Sequence, residues 1–408
     1  MTRPTASHRC GRPSSRRIAI VAGPDAGHAF PAFALAERLT SAGIETVVYT
    51  GEQWRATAGT RGVCVAALPG LAAITGDDDA DAGAKLSRRA ARIAVGLAPI
   101  LATTRVDLVI SDVITVGGAW AAELAGIPWI ELSPHPLYLP SAGRPPIGAG
   151  LEPGVGRAGR LRDAALRTAT RRSLRAGERQ RARARSTIGL FGLGEPVARL
   201  VATLPGLEVW RPDWPADTHL IGPLLWEPTD AVFDHPAGDG PLVLIAPSTA
   251  VTGAADMVST TLAAVTGELA DLSVRVVVSA LQSPDGIESS ARVVVGTGRQ
   301  DEVLTHAALV ICGGGHGMLA KSLMASVPVV TVPGGGDQWE LANRVQRQGS
   351  GVLVRPLTVD AVAAAVREVL TDPGFAAAAS QVSVSAREVT DPVRIVQWLL
   401  DRSGHHLA

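Results

Sequence analysis

The chain has 408 residues, 46% of them hydrophobic, and its 38 basic residues balance 38 acidic ones. This length exceeds what one hydrophobic core usually supports, so we expect two globular domains of about 200 residues each. A net charge of zero gives no overall field that would attract nucleic acid or a membrane, and a 4% aromatic content leaves few rings on which single-stranded bases could stack.

The first residues of the chain and its cysteines indicate the cellular compartment. Residues 1–16 are polar, contain several arginines and lack the apolar segment of a signal peptide, so they predict a disordered N-terminal extension. No uncharged apolar run reaches the roughly 18 residues of a membrane span. Cys10, Cys64 and Cys312 are too scattered for a disulfide framework or a zinc site, and an odd number of cysteines fits a reducing compartment. We therefore predict a cytoplasmic protein without a metal site.

Strands and helices alternate through residues 17–222, which we predict to form the first domain. The predicted strands are 17–22, 45–49, 63–68, 107–111, 128–132, 200–204 and 219–221. A first helical pattern has Pro31 in its first turn and ends at Gly43. An acidic loop occupies 76–82, a second helical pattern follows it to about Leu101, and a third covers 119–124. Alternation of this kind predicts a parallel, doubly wound sheet.

Two polar residues of this domain are candidates for acid-base chemistry. His28 lies in a Gly-His-Ala-Phe-Pro turn after the first strand, and Asp112 ends a later strand of the same predicted sheet. An imidazole titrates near neutrality and can remove a proton from a hydroxyl, while a carboxylate on its other nitrogen would fix the tautomer. The alternative is that His28 is bonded to helix backbone and that Asp112 caps the next helix.

Residues 157–185 carry eleven arginines and only two acidic residues, Asp163 and Glu178. As one or two helices, this segment would present a strongly cationic face. We favour a solvated outer face over a membrane-surface or anionic-acceptor role, and the second interpretation stays open. The segment 223–240 is rich in Pro, Asp and Gly and predicts an interdomain linker.

The second half of the chain, residues 241–390, repeats the alternation. Its predicted strands are 241–246, 274–279, 292–295, 307–311, 327–332 and 351–354, and its predicted helices include 254–269, 359–370 and 374–389. A terminal segment, 391–408, contains one more helical pattern at 392–400. This half therefore predicts a second parallel α/β domain.

Two glycine-rich turns of the second domain predict an anion site. The strand at 307–311 runs into Cys312 and a glycine cluster at the start of a helix, where unpaired amides and the helix dipole favour negative charge. The next strand breaks at Pro333 into a turn that carries Asp337 and Gln338. Both turns would open at the carboxyl edge of one sheet, where open α/β folds hold ligands. The alternative is an ordinary βαβ unit whose glycines serve packing.

The run GGGHGMLAKSLMASVPVVTVPGGGDQWELANRVQRQGSGV, which begins at Gly313, resembles the donor-binding motif of GT-B glycosyltransferases of the UDP-glycosyltransferase type, which include antibiotic and glycolipid glycosyltransferases. The matching positions are Gly314, Gly315, Gly317, Val327, Pro328, Pro333, Asp337, Gln338 and Asn343. Three positions depart from the family pattern. Gly313 stands where the family has a phosphate-binding His, Met318 where it has Ser or Thr, and Lys321 where it often has a ribose-binding Glu; His316 lies three residues after the usual His.

The resemblance extends to the first domain. In the family, a Gly-His-x-x-Pro turn after the first strand supplies the catalytic base, and an Asp ending a later strand supports it; His28 and Asp112 match both. Gln300 lies in GTGRQDEVL, at the place of the family loop that holds the nucleotide base, although Thr297 and Arg299 replace its aromatic residue and proline. Ser248 and Thr249 fall where the family has a turn near the diphosphate.

The resemblance implies a GT-B fold, with two Rossmann-like domains facing across a cleft and the last helix packing back on the first domain. It implies inverting, metal-independent transfer of a hexose from a UDP or dTDP sugar to a hydroxyl of a lipophilic small molecule or glycolipid. No cofactor is expected. The implied catalytic residues are His28 and Asp112, and the implied donor-binding residues are Ser248, Thr249, Gln300, Gly313, Gly314, Gly315, His316, Gly317, Lys321, Asp337, Gln338 and Asn343.

The partners expected from this resemblance are a nucleotide-diphosphate sugar and a lipophilic acceptor, with no nucleic acid. Peripheral membrane contact and a monomeric or homodimeric state are compatible with the sequence. A second hypothesis is a catalytically degenerate GT-B protein that acts as a binding or partner subunit, which the departures at Gly313, Met318 and Lys321 favour. A sugar-nucleotide epimerase is disfavoured because no additional acidic cluster is apparent.

Overall fold

A computed structural model describes residues 16–75, 81–249, 256–282 and 286–404. The predicted N-terminal extension therefore lies outside the described residues except for Arg16, as does most of the predicted acidic loop. Within the described parts of the chain, no helix combines the length and the apolar composition needed to cross a bilayer.

The first sheet has seven parallel strands. They are β1 (Arg17–Val21), β2 (Glu45–Thr50), β3 (Val65–Ala67), β4 (Leu108–Asp112), β5 (Trp129–Ser133), β6 (Ala198–Val201) and β7 (Thr218–Leu220). Their order is β3-β2-β1-β4-β5-β6-β7. The helices between them are α1 (Ala26–Ser41), α2 (Arg55–Gly59), α3 (Ala82–Thr103), α4 (Gly117–Ala125) and α5 (Gly156–Ser186). The central strands β1 and β4 are buried along almost their whole length because helices cover both faces of a parallel sheet.

The second sheet has six parallel strands. They are β8 (Leu242–Ala246), β9 (Arg275–Ser279), β10 (Val293–Gly296), β11 (Ala307–Cys312), β12 (Val329–Thr331) and β13 (Gly351–Leu353), in the order β10-β9-β8-β11-β12-β13. The accompanying helices are α6 (Met257–Ala263), α7 (Gln300–Leu304), α8 (His316–Met324), α9 (Asp337–Arg347), α10 (Val359–Thr371), α11 (Pro373–Ser385) and α12 (Pro392–Gly404). The predicted pair of parallel, doubly wound α/β domains is confirmed.

Both segments that join the domains are packed. The predicted linker is anchored in both domains, because Trp226 lies in the core of the first domain and Phe233 in a core of the second. Helix α12 crosses back and buries Ile395, Val396 and Leu400 in the first domain's core. The linker and the last helix therefore both tie the second domain to the first.

Three predicted elements differ from the structure. Strand β6 ends at Val201, before the predicted end, because Pro205 starts a 3-10 turn that carries Leu204 and Leu207 into a core shared with the second domain. The helix predicted at 254–269 becomes π-helical after Ala263. The loop that contains Gln300 includes a one-turn helix, α7, which the sequence reading assigned to a loop.

Candidate active site

His28 and Asp112 meet at the carboxyl edge of the first sheet. Asp112 is the last residue of β4, and His28 lies in the first turn of α1, which follows β1. Because β1 and β4 are adjacent parallel strands, the segments that follow them leave the sheet at the same edge. Nδ1 of His28 lies 2.7 Å from Oδ2 of Asp112. The other carboxylate oxygen, Oδ1, accepts hydrogen bonds from the backbone amides of Ile114 and Thr115 at 2.8 and 3.1 Å.

These contacts fix the orientation and the ionisation of the imidazole. Asp112 is buried and held by backbone donors, so it presents one fixed oxygen to His28. Burial lowers the pKa of His28, but the hydrogen bond and the charge of Asp112, with smaller contributions from Asp25 and Asp337, outweigh burial and leave the pKa above its ordinary value. With Nδ1 occupied by Asp112, Nε2 is the nitrogen that can accept a proton from a ligand.

A second aromatic pair lies beside the dyad. The ring of His135 meets the ring of His28 edge-on, with 6.4 Å between centroids, and stacks on the ring of Tyr138 at 4.4 Å. Burial lowers the pKa of His135, whose Nδ1 lies 2.8 Å from the carbonyl oxygen of Pro136. The buried hydroxyl of Tyr138 has no hydrogen-bond partner among the described residues. This wall, formed by His135 and Tyr138, therefore places stacked aromatic rings beside the dyad, and the Tyr138 hydroxyl is buried within it.

The glycine cluster of the second domain forms an open turn at the start of α8. Gly314 has φ +78°, a backbone conformation that favours glycine, and Gly315 precedes the first helical residue. A Cβ atom placed on Gly315 or Gly317 would meet no heavy atom within 4 Å, so the space beside both residues is open. The first amides of α8 have no acceptor inside the helix, and together with its dipole they favour an anion there.

The neighbouring turn, at the start of α9, carries two predicted sugar ligands, Asp337 and Gln338, whose surroundings differ. Asp337 is exposed, and its charge acts on His28, His135 and Tyr138 across the cleft. Gln338 is buried: its amide oxygen accepts from the amide of Gly334 at 3.0 Å and its amide nitrogen donates to Ser248 at 2.8 Å. The side chain of Asp337 is therefore available to a ligand, whereas that of Gln338 joins two turns of the second domain.

Comparisons with known proteins agree with this geometry. Residues 258–401 match the family profile described as Erythromycin biosynthesis protein CIII-like, C-terminal domain. The chain is 27% identical to 4'-demethylrebeccamycin synthase of Lentzea aerocolonigenes, over 94% of this chain and 99% of that protein. Its structure is similar to the glycosyltransferase of kitacinnamycin, with a TM-score of 0.74 and 22% identity over 96% of this chain and 100% of the other. It is also similar to SsfS6 of Streptomyces sp. SF2575 complexed with thymidine diphosphate, with a TM-score of 0.63 and 19% identity over 94% and 99% of the two chains.

The chain is a GT-B glycosyltransferase. A near full-length relative and a matching family profile support this assignment, and the similar structures support the fold. The predicted enzyme class and fold are thereby confirmed.

Two of the three departures from the family motif, Gly313 and Lys321, have identifiable surroundings in this glycosyltransferase. A Cβ atom on Gly313 would lie 3.0 Å from Cβ of Ser248, so a side chain at this position requires the Ser248 turn to move. The sequence predicts a donor-binding role for His316, but Nε2 of its ring lies 2.9 Å from Oγ1 of Thr203 in the first domain. Burial lowers the pKa of His316 to about 3, so the ring is neutral. Only the backbone amide of His316 is placed at the anion turn.

Lys321 and Gln300, two of the predicted donor-binding residues, contact each other. Nζ of Lys321 lies 2.6 Å from Oε1 of Glu227 and donates to Oε1 of Gln300 at 2.9 Å. The side chains of Lys321 and Glu227 are only 11% and 9% exposed. The amide nitrogen of Gln300 in turn donates to Ser279 at 3.1 Å. Both predicted ligands are thus already engaged with protein groups, and the carboxylate that pairs with Lys321 comes from Glu227 of the linker.

The remaining predicted donor ligands lie at the margins of the site. Asn343 donates from its amide nitrogen to the carbonyl oxygen of Trp339 at 2.8 Å and faces Gly150 of the first domain. Thr249 is exposed beside Ser248. The glycosyltransferase therefore brings Asp337 of the second domain near the His28 dyad of the first, and turns several other predicted ligands toward protein partners.

Sequence reasoning missed the residues that join residues 148–150 of the first domain to helix α9 of the second. Oε2 of Glu340 accepts hydrogen bonds from the amides of Gly148 and Gly150 at 3.1 and 2.9 Å. Arg347 donates to the carbonyl oxygen of Gly150 at 2.7 Å. The only sequence signal was position: Glu340 follows Asp337 by one helical turn, so it shares the cleft-facing side of α9.

Proposed function

We propose that this glycosyltransferase transfers a hexose from a UDP or dTDP sugar to a hydroxyl of a lipophilic small molecule or glycolipid, with inversion at the anomeric carbon. The observation that supports the proposal is the proximity of two features that belong to different domains. The His28–Asp112 dyad belongs to the first domain, and Asp337, whose charge acts on His28, begins a helix of the second. A base on one domain and a donor-binding turn on the other suit direct displacement of the nucleoside diphosphate by the acceptor oxygen.

In the proposed reaction, Nε2 of His28 takes the proton of the acceptor hydroxyl while the oxygen attacks the anomeric carbon. The bond from that carbon to the diphosphate oxygen breaks, and the electron pair leaves on the nucleoside diphosphate. The new O–C bond forms on the face opposite the leaving group, so the configuration inverts. Asp112 stabilises the imidazolium that results and keeps Nδ1 protonated throughout.

The departing diphosphate gains negative charge, and we propose that the first amides of α8 stabilise it. Preorganised amides and a helix dipole in a water-poor cleft supply this stabilisation without reorganisation. We propose that no metal ion is needed, and insensitivity of the rate to EDTA would support that. The turnover rate falling with EDTA and returning with Mg²⁺ or Mn²⁺ would contradict it.

The sugar and the acceptor would lie between Asp337 and the His135–Tyr138 wall. Asp337, which is exposed, can accept hydrogen bonds from sugar hydroxyls. The stacked rings of His135 and Tyr138 offer an apolar face to a lipophilic acceptor. A TDP complex of a similar structure and the erythromycin name of the family profile favour a nucleotide sugar and a small-molecule acceptor.

The test is release of nucleoside diphosphate from a panel of UDP, dTDP and GDP sugars, with and without a panel of lipophilic alcohols. We expect release with a UDP or dTDP sugar, its loss in His28→Ala, and retention in the control His306→Ala, whose side chain is exposed. NMR of the anomeric proton of the product reports the configuration. A retained configuration, or full activity in His28→Ala, would refute the mechanism.

The degenerate, non-catalytic alternative gains no support, because the relatives are named as synthases and transferases. We propose that the reaction needs no cofactor, since the nucleotide sugar is itself a substrate. We also propose a cytoplasmic location, which the free thiols of Cys64 and Cys312 support.

A further inference from the structure

Helix α5 (Gly156–Ser186) concentrates positive charge on the outside of the first domain. Its 31 residues include eleven arginines and two carboxylates, which leaves nine net positive charges in a chain whose overall charge is zero. Only Asp163, Ala184 and Arg185 are buried, so the helix lies on the surface along nearly all of its length. Packing alone does not explain this composition.

Seven of these arginines share one face of the helix. At 100° per residue, Arg157, Arg160, Arg171, Arg172, Arg175, Arg179 and Arg183 fall within less than half of the circumference. All seven are exposed, and none forms an ion pair with a carboxylate of the described residues. By contrast, Arg162 and Arg185 pair with Asp163 and Glu123. The cationic face, defined by these seven residues, extends over roughly 39 Å at 1.5 Å per residue.

The spacing within the cationic face is unfavourable for the isolated helix. Arg171, Arg175, Arg179 and Arg183 follow one another at intervals of four residues, the spacing at which side chains are neighbours. Like charges at this spacing destabilise a helix, so three successive pairs repel one another. A surface with dense negative charge would remove this repulsion and replace it with attraction along the whole face.

We propose that the cationic face of α5 binds an anionic lipid bilayer. A flat layer of phosphate headgroups complements a straight row of guanidinium groups. Leu161 lies four residues after Arg157 on the same face and is 71% exposed, and Val155, which precedes the helix, is 91% exposed. An apolar side chain within a basic face can enter the headgroup region, whereas recognition of nucleic acid gives it no partner. A lipophilic acceptor, which rests on the proposed function, would also concentrate in such a bilayer.

The test is co-sedimentation of the full chain with vesicles. We expect binding to equal parts of phosphatidylglycerol and phosphatidylethanolamine at low salt, little binding to phosphatidylcholine, and loss of binding as salt rises. In the variant R171Q/R175Q/R179Q/R183Q, partitioning onto anionic vesicles should fall about a hundredfold or more, because each arginine near an anionic surface contributes substantially. The matched control R38Q/R292Q/R387Q/R394Q removes the same charge from exposed positions elsewhere and should bind nearly as the unmodified chain does.

Thermal unfolding of each variant guards against misfolding, and the α5 variant should unfold at the same temperature or higher. Equal binding to phosphatidylcholine, unchanged binding of the α5 variant, or equal losses in the α5 variant and the control would each overturn the proposal. Binding to duplex DNA without binding to anionic vesicles would also overturn it. Because sedimentation measures no sugar transfer, failure here is distinct from failure of the proposed function.

Discussion

Replacement of Asp112 by asparagine should disable the base without unfolding the site. Asn can keep its oxygen on the amides of Ile114 and Thr115, which hold Oδ1 of Asp112 at 2.8 and 3.1 Å. It would then present its NH₂ group to Nδ1 of His28, 2.7 Å away in the unmodified protein. A donor at that position places the ring proton on Nε2, so Nε2 can no longer accept the acceptor's proton.

The expected loss follows from the role assigned to His28. General base catalysis contributes about 10²–10⁴ in rate, or about 3–5 kcal/mol, and kcat/KM should fall by that factor. The pH profile should change as well. An imidazolium cannot accept a proton, so kcat/KM rises with pH through the pKa of His28, which lies above 6.5 in the unmodified enzyme. In Asp112→Asn the two largest effects that raise this pKa are removed, whereas burial and the smaller contributions of Asp25 and Asp337 remain, so the acid limb should move to lower pH.

The assay is kcat/KM for nucleoside diphosphate release between pH 5 and 9, with Asp25→Asn as the control. Asp25 is exposed and raises the pKa of His28 through its charge without a hydrogen bond to the ring. Its variant should keep the rate at high pH and shift the acid limb only slightly downward. A loss of less than tenfold in Asp112→Asn, or an acid limb that does not move, would refute the assignment of His28 as the base.

Three further predictions concern other residues. Tyr138→Phe should leave or raise the melting temperature, because it removes a buried hydroxyl that has no partner among the described residues; a lower melting temperature would contradict this. The pKa of His316 is lowered by folding, so the unfolded chain takes up a proton first and the protein loses stability as pH falls from 6.5 toward 3. The melting temperature of His316→Asn should therefore decline less over this pH range than that of the unmodified protein. An equal decline in both would contradict the lowered pKa. Lys321→Met should lower the free energy of unfolding in urea by about 3 kcal/mol, because Glu227 stays buried without its countercharge. Adding Glu227→Gln should restore most of that free energy, and no recovery would show that the ion pair does not form.

The parts of the site that sequence could predict are local. A histidine just after β1 and an aspartate at the end of β4 must leave the sheet at one edge, because parallel strands share their direction. The same reasoning predicts the glycine turn before α8 and places Asp337 at the start of α9. In each case the residue and the element that positions it are neighbours in the chain.

The parts that sequence could not predict depend on distant contacts. The ring of His316 turns away from the anion turn because Thr203, from the other domain, offers it a hydroxyl. Lys321 pairs with Glu227, whose position depends on how the linker packs rather than on its composition. Glu340 binds two amides of the 148–150 loop, and nothing near Glu340 in the sequence indicates that partner.

The proposed mechanism requires His28 and the glycine turn before α8 to act on the same donor molecule. A crystal structure of this glycosyltransferase with thymidine diphosphate would show whether they do. We expect phosphate oxygens about 3 Å from the amides of Gly315 to Gly317, with Nε2 of His28 facing the open side of the terminal phosphate. A diphosphate bound away from these amides, or a His28 ring separated from it by packed side chains, would refute the mechanism.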